Sequence, residues 1–139
     1  MISADVHVGR LLEIRLAAPI TMQDLQNLGQ RLGGLFQQHP GKLVSIADAT
    51  RAAIVPEDVA NRVVEVFKAD NPRIERSAIL VSHSATFSLQ IERLVAAAAN
   101  PARRCFHDTF DMKTFLGGLL TRDQHARLAQ FLAGRPFAV

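Results

Sequence analysis

Cys105 and His107 are the one place in the sequence where a thiol and an imidazole lie close together, alternating about Phe106. Nucleophilic catalysis by such a couple needs the ring nitrogen within hydrogen-bond reach of the sulfur. In an extended strand, residues i and i+2 share a face but stand ~6.5–7 Å apart. Cys105 is therefore read as a small apolar filler, and no catalytic residue is expected. A second group is spread along the chain. Asp48 and Thr50 end one apolar run, Ser82-His83-Ser84 ends another, and His107-Asp108 ends a third. At the C-terminal ends of parallel strands, Asp48, Thr50, His83, Ser84, His107 and Asp108 would gather into a polar rim, where open α/β sheets hold ligands. Each also has a plainer role: Ser84 and Asp108 as helix N-caps, Asp48 as a turn residue, the histidines as solvent-facing side chains. The five histidines, His7, His39, His83, His107 and His125, show no i,i+4 pairing, and one cysteine excludes a multi-cysteine zinc site. Neither a metal nor a cofactor is expected. Gly33-Gly34 and Gly117-Gly118 fall inside helical patterns, not after strands, so they form no phosphate loop and are read as easing close packing or a kink.

The elements that must position these residues follow from periodicity. Val6-His7-Val8 and then Leu11 to Leu16 suggest two antiparallel strands about a turn at Gly9-Arg10. Leu12, Ile14 and Leu16 share one face, with Glu13 and Arg15 on the other. Thr21 with Asp24 opens a helix whose apolar face is Leu25, Leu28, Leu32, Leu35 and Phe36. Leu43 to Ala47 and Ser77 to Ser82 are apolar on both faces, as suits central strands covered on each side. Pro56-Glu57-Asp58 begins a helix in which the two acids favour the positive end of the dipole. Ser84 leads a third helix with Phe87, Ile91, Leu94, Val95 and Ala98 inward. Arg103 to His107 is the last strand, and Asp108 with Asp111 and Thr121 with Gln124 open two short helices. Asn71-Pro72 and Asn100-Pro101 read as helix stops, each Asn suited to a left-handed residue. The order β-β-α-β-α-β-α-β-α-α predicts an α/β fold: a mixed, mostly parallel sheet of four to five strands covered by helices.

At 139 residues and 15.2 kDa the chain supports one core, so a single domain over 1–139 is expected, with a C-terminal helical extension at 121–139. No apolar run approaches a bilayer span, and the opening residues lack the pattern of a secretory signal. A soluble, cytoplasmic protein is the expectation. The net charge of +3 comes from 13 Arg and 3 Lys against 13 acids, with the excess in the second half. Without a basic run longer than Arg103-Arg104, and with no Trp or Tyr for base stacking, no nucleic-acid partner is expected. Arg73, Arg76 and Arg93 are read as solvated partners of Asp70, Glu75 and Glu92.

Leu43-Val44-Ser45-Ile46-Ala47-Asp48-Ala49-Thr50 resembles the apolar strand and Asp-x-Ser/Thr of the STAS domain, the family of sulfate transporters and anti-sigma factor antagonists. Pro19-Ile20-Thr21 is similar to that family's Gly/Pro-Leu-Thr opening of the first helix. The resemblance spans most of residues 1–120 at the level of pattern, closest to the single-domain SpoIIAA-like proteins. It implies a non-enzymatic regulatory or protein-interaction module whose partner is a signalling protein, such as a kinase-type anti-sigma factor. The partner surface would be Asp48, Thr50, Arg51, Glu57 and Asp58. The family's phosphorylatable Ser or Thr has no counterpart here, since Ile54-Val55-Pro56-Glu57-Asp58 carries no hydroxyl; Glu57 and Asp58 would either imitate the phosphate or simply serve the helix end. The alternative is a small-ligand or lipid-binding protein with a pocket at the strand C-terminal ends, against His83, Ser84, His107 and Asp108. Homodimerisation through an exposed C-terminal helix pair (Phe131, Leu132, Phe137) is a further expectation.

Overall fold

Alternation along the N-terminal residues builds an antiparallel hairpin, β1 (Ile2–Val6) and β2 (Leu11–Ala17), in the computed structural model, which describes residues 1–137. The first strand lies earlier than expected, because Ile2 and Val6 pair with Leu16 and Leu12, leaving residues 7–10 for the turn. Gly9 adopts a positive φ of 56°, and a side chain there would run into the Gln124 amide. The positive φ favours glycine at this turn, and any side chain there would also have to displace the Gln124 amide.

Helix α1 (Met22–Gln38) starts from a complete capping box: Thr21 Oγ1 accepts from the Asp24 N–H (3.1 Å), and Asp24 accepts from the Thr21 N–H (2.9 Å). Then come β3 (Leu43–Arg51), α2 (Glu57–Asp70), β4 (Ile74–Val81), α3 (Ala85–Ala97), β5 (Arg103–Phe106), α4 (Thr109–Leu116) and α5 (Arg122–Leu132). The sheet order is β1-β2-β3-β4-β5, antiparallel only between β1 and β2. The fold is therefore α/β with a mixed, mostly parallel sheet. Because the order never reverses, α1, α2 and α3 cover one face and α4 and α5 the other. No topological switch point arises between the parallel strands.

Each strand divides its side chains between two cores. Leu12, Leu43, Ala47, Ile74, Ile79 and Val81 face α1–α3. Leu11, Val44, Ile46, Ala78 and Leu80 face Met112, Leu116, Leu128 and Phe131 of α4 and α5. Three expectations change here. Residues 121–137 are not an appendage: α5 packs on the face of the sheet opposite α1–α3, and Phe131 is 1% exposed. The surface expected to pair two copies is thus internal at Phe131 and half-buried at Leu132, while Phe137 stacks on His7 with ring centroids 4.7 Å apart. Residues 138 and 139 lie outside the described residues. Glu13, in turn, does not face solvent. It is 5% exposed and paired with Arg127, itself 4% exposed.

Several polar expectations resolve differently. Arg73 donates to the carbonyls of Phe36, His39 and Gly41, satisfying the end of α1. Arg76 donates to Phe115 O (2.6 Å), and Glu75 pairs with Arg10. Asn71 is helical, and the left-handed residue is Ala99 (φ 55°), one before Asn100. The glycine pairs at 33–34 and 117–118 have open space where a Cβ would stand, so close packing does not account for them.

Candidate functional site

The expected rim separates into three pieces. Strand β3 runs on to Arg51, so Asp48 and Thr50 belong to the strand and not to a following loop. Asp48 Oδ1 accepts from the Thr50 hydroxyl (2.6 Å) and N–H (3.0 Å), and Oδ2 lies 3.4 Å from Arg15 Nη1. Arg15 continues to Phe131 O (2.9 Å) and stacks 4.1 Å over the Phe131 ring. Asp48 is thus an anchor between the sheet end and α5. Thr50 and Arg51 are exposed beside it, in a polar cleft of about 320 Å³. Asp108 is spent on α4, accepting from the N–H groups of Phe110 (2.6 Å) and Asp111 (3.2 Å). Ser84 stands at the N-cap of α3, but its side chain makes no capping bond. His83 and His107 do meet, their rings stacked with centroids 5.5 Å apart. Both histidines are exposed and neither hydrogen-bonds Asp48 among the described residues. Glu57 and Asp58 are exposed in the first turn of α2, and Asp58 Oδ1 accepts from the Val59 N–H (2.9 Å).

Cys105 points to the α1–α3 side of β5, packed with Ile79, Ile91 and Leu94. Burial, with the charge of Glu92 adding to it, pushes its thiol up to about 12. His107 lies beyond the strand end and stacks on His83 instead. A thiol so held has almost no thiolate at neutral pH, which agrees with its reading as filler.

A cavity lies where it was not expected, over the middle of the sheet beneath α1, α2 and α3. Its volume is about 90 Å³. Its origin is visible in the central strand: Ser45, Ala47 and Ala49 are small, while the opposite face of the same strand carries Val44 and Ile46. Helix α2 spans this gap without large side chains rising from β3 to meet it. Ile14, Leu16, Ile20, Val55, Val63 and Phe67 border the cavity and are only half-buried. The loop at 52–56 is tied along one edge: Gln90 donates to Val55 O (2.8 Å) and accepts from the Val55 N–H (2.9 Å). None of His83, Ser84, His107 or Asp108 lines this cavity, so the pocket expected against them is displaced to the sheet interior.

Asp70 and Arg103 are the ionisable groups at the wall, among the described residues. Burial pushes the Asp70 carboxyl up to about 6, against the pull of Arg103; burial also lowers Arg103 to about 10. Asp70 titrates at 3.8 when free. The folded state therefore holds this proton more tightly, and its contribution to stability is greatest below that value, declines as pH rises, and is lost above about 6. Asp70→Asn should then be more stable than wild type at pH 8 by about 1–2 kcal/mol, after discounting for partial exposure, with the difference closing at pH 4. Urea denaturation at the two pH values checks this; equal midpoints at pH 8 would contradict it.

Sequence reasoning missed this site because Ser-x-Ala-x-Ala at 45–49 reads simply as strand. The signal was there, in small residues at i, i+2 and i+4 of a strand already assigned to the centre of the sheet. No protein-family model matches the chain, and no curated protein matches it. No described helix is long and apolar enough to cross a membrane.

Proposed function

We propose that this protein is a non-enzymatic binder of a small, largely apolar molecule, which it holds between the sheet and α1–α3. The observation that carries this reading is the cavity above Ser45, Ala47 and Ala49. Protein interiors pack like organic crystals, with few voids larger than a water molecule. At ~24 cal/mol per Å³, an empty space of about 90 Å³ costs about 2 kcal/mol, which filling by a ligand recovers. The half-buried apolar side chains around it offer a path inward. A cytoplasmic setting suits the lone thiol of Cys105. Titration with 1-octanol, followed by thermal denaturation in the far ultraviolet, tests the reading. A midpoint that climbs with the logarithm of probe concentration supports it. A midpoint that stays level up to the solubility limit sinks it.

A second reading rests on the STAS resemblance and on one surface feature. Ile54 is 58% exposed in the loop that Gln90 braces, three residues along the chain from Arg51 of the polar cleft. In that reading the protein is a regulatory module whose loop, with Glu57 and Asp58, meets a signalling protein of the kinase-type anti-sigma class. Ile54→Glu and Arg51→Ala should each deplete a partner band recovered on the immobilised chain, with unchanged folding by circular dichroism. Identical bands from wild type and both variants would remove this surface.

A further inference from the structure

The cavity wall is apolar except along one line. Ser45 of β3 is the register partner of Ser77 of β4, and Ser77 is the register partner of Arg103 of β5. Three neighbouring strands therefore set three polar side chains side by side on the face beneath α1–α3, none more than 5% exposed. Arg103 is held firmly: Nε donates to Ser77 Oγ (3.3 Å), Nη1 donates to Asn71 Oδ1 (3.0 Å), and the guanidinium lies 4.2 Å from the Phe67 ring centre. Asn71 is fixed in turn by Asn100 and by Ala98 O.

Ser45 is different. Its hydroxyl makes no hydrogen bond among the described residues, yet every fully occluded side-chain nitrogen and oxygen there has a partner. Its oxygen therefore keeps some accessible surface, and the space beside it is the cavity that Ser45 lines. Ser77 already accepts from Arg103, so its own O–H is free to donate. Nη2 of Arg103 has no protein partner among the described residues. The row thus offers donors from Ser45, Ser77 and Arg103, with Asp70 the one acidic group lining the same cavity among the described residues.

We propose that this row is a head-group site, and that the ligand is a single-chain monocarboxylic acid. Its carboxylate accepts from Ser45 Oγ, Ser77 Oγ and Arg103, while its alkyl chain lies over Ala47 and Ile79. This rests on the apolar-ligand reading and adds the head group to it. A carboxylate brings about four acceptor positions and the charge that matches a guanidinium; a hydroxyl brings one donor and two lone pairs and leaves part of the row unmet. Asp70 and Arg103 are the ionisable groups at the wall, so a second carboxylate there opposes Asp70 directly. Asp70 already titrates near 6, and it takes up a proton as the acid binds.

Calorimetric titration of the full chain at pH 7.5 with octanoate and with 1-octanol separates the possibilities. Octanoate is expected to bind wild type about ten-fold tighter than 1-octanol, the margin of a charge-assisted hydrogen-bond set. Ser45→Ala, which removes a hydroxyl without a protein partner and leaves the fold intact, should weaken octanoate by about five-fold and leave 1-octanol unchanged. Asp70→Asn should strengthen octanoate and abolish the proton uptake seen on comparing buffers of different ionisation enthalpy. Arg103→Met should remove the preference for octanoate, with circular dichroism confirming the fold. Equal affinity for the two probes, with no response to Ser45→Ala, overturns the head-group site while leaving the apolar cavity standing. Absence of binding by either probe overturns both.

Discussion

Arg127→Met is expected to destabilise the fold by about 3–5 kcal/mol, the cost of leaving a buried charge without its partner. Glu13 sits on β2 beneath α5, and Arg127 reaches down to it through two bonds, Nε to Oε2 (2.8 Å) and Nη2 to Oε1 (2.5 Å). The third nitrogen donates to Arg135 O (3.2 Å). With side chains only 4% and 5% exposed, water cannot replace the lost partner. Glu13→Gln should fall in the same range, because it keeps a hydrogen bond yet strands the guanidinium. The double change Glu13→Leu with Arg127→Met should return to within about 1 kcal/mol of wild type, since a buried ion pair contributes little beyond a well-packed apolar pair. Chemical denaturation of the three variants reads this directly. A loss below about 1 kcal/mol for Arg127→Met would mean that the pair behaves as a surface salt bridge.

Ala47→Leu should abolish 1-octanol binding and raise stability at the same time. Ala47 is 5% exposed on the central strand and lines the cavity from below. Three added carbons in a void of about 90 Å³ gain burial at ~0.8 kcal/mol per methylene, and cavity filling of this kind commonly yields about 0.5–2 kcal/mol. The same atoms occupy the ligand's place. A binding loss of at least about thirty-fold, together with a higher melting midpoint, is the expected pair of results. A variant that binds 1-octanol like wild type would place the probe elsewhere and remove the cavity from the functional argument. A variant that both unfolds and fails to bind is distinguished by Val63→Leu, which narrows the same space from α2.

Helix and strand identities were readable because they depend on local repetition. Leu25, Leu28, Leu32 and Leu35 define one helix face, and Thr21-Asp24 and Thr121-Gln124 carry their capping chemistry within four residues. Apolar residues on both faces of 43–47 and 77–82 correctly marked strands covered on two sides. Strand ends were less legible. Asp48 and Thr50 read as loop residues by type, but backbone pairing with β4 extends through Ala49, and pairing of Arg51 with Ala17 of β2 carries β3 to its end. The histidines show the same limit. His83 and His107 were placed at neighbouring strand ends by topology, and they do stack, but the rest of the rim is committed to Arg15, to α4 and to solvent.

What the sequence determined by itself is the α/β layering, because hydrophobic period, caps and breakers act over a few residues. What only the tertiary structure decided is which polar residues are inside. Glu13 is buried because α5 returns, more than a hundred residues later, to cover the face it shares with Arg15. Ser45, Ser77 and Arg103 form a row because three strands pair in one register, and no spacing along the chain encodes that. The cavity above them depends on helices standing across a strand of small side chains, a property of distances between elements and not of any one of them.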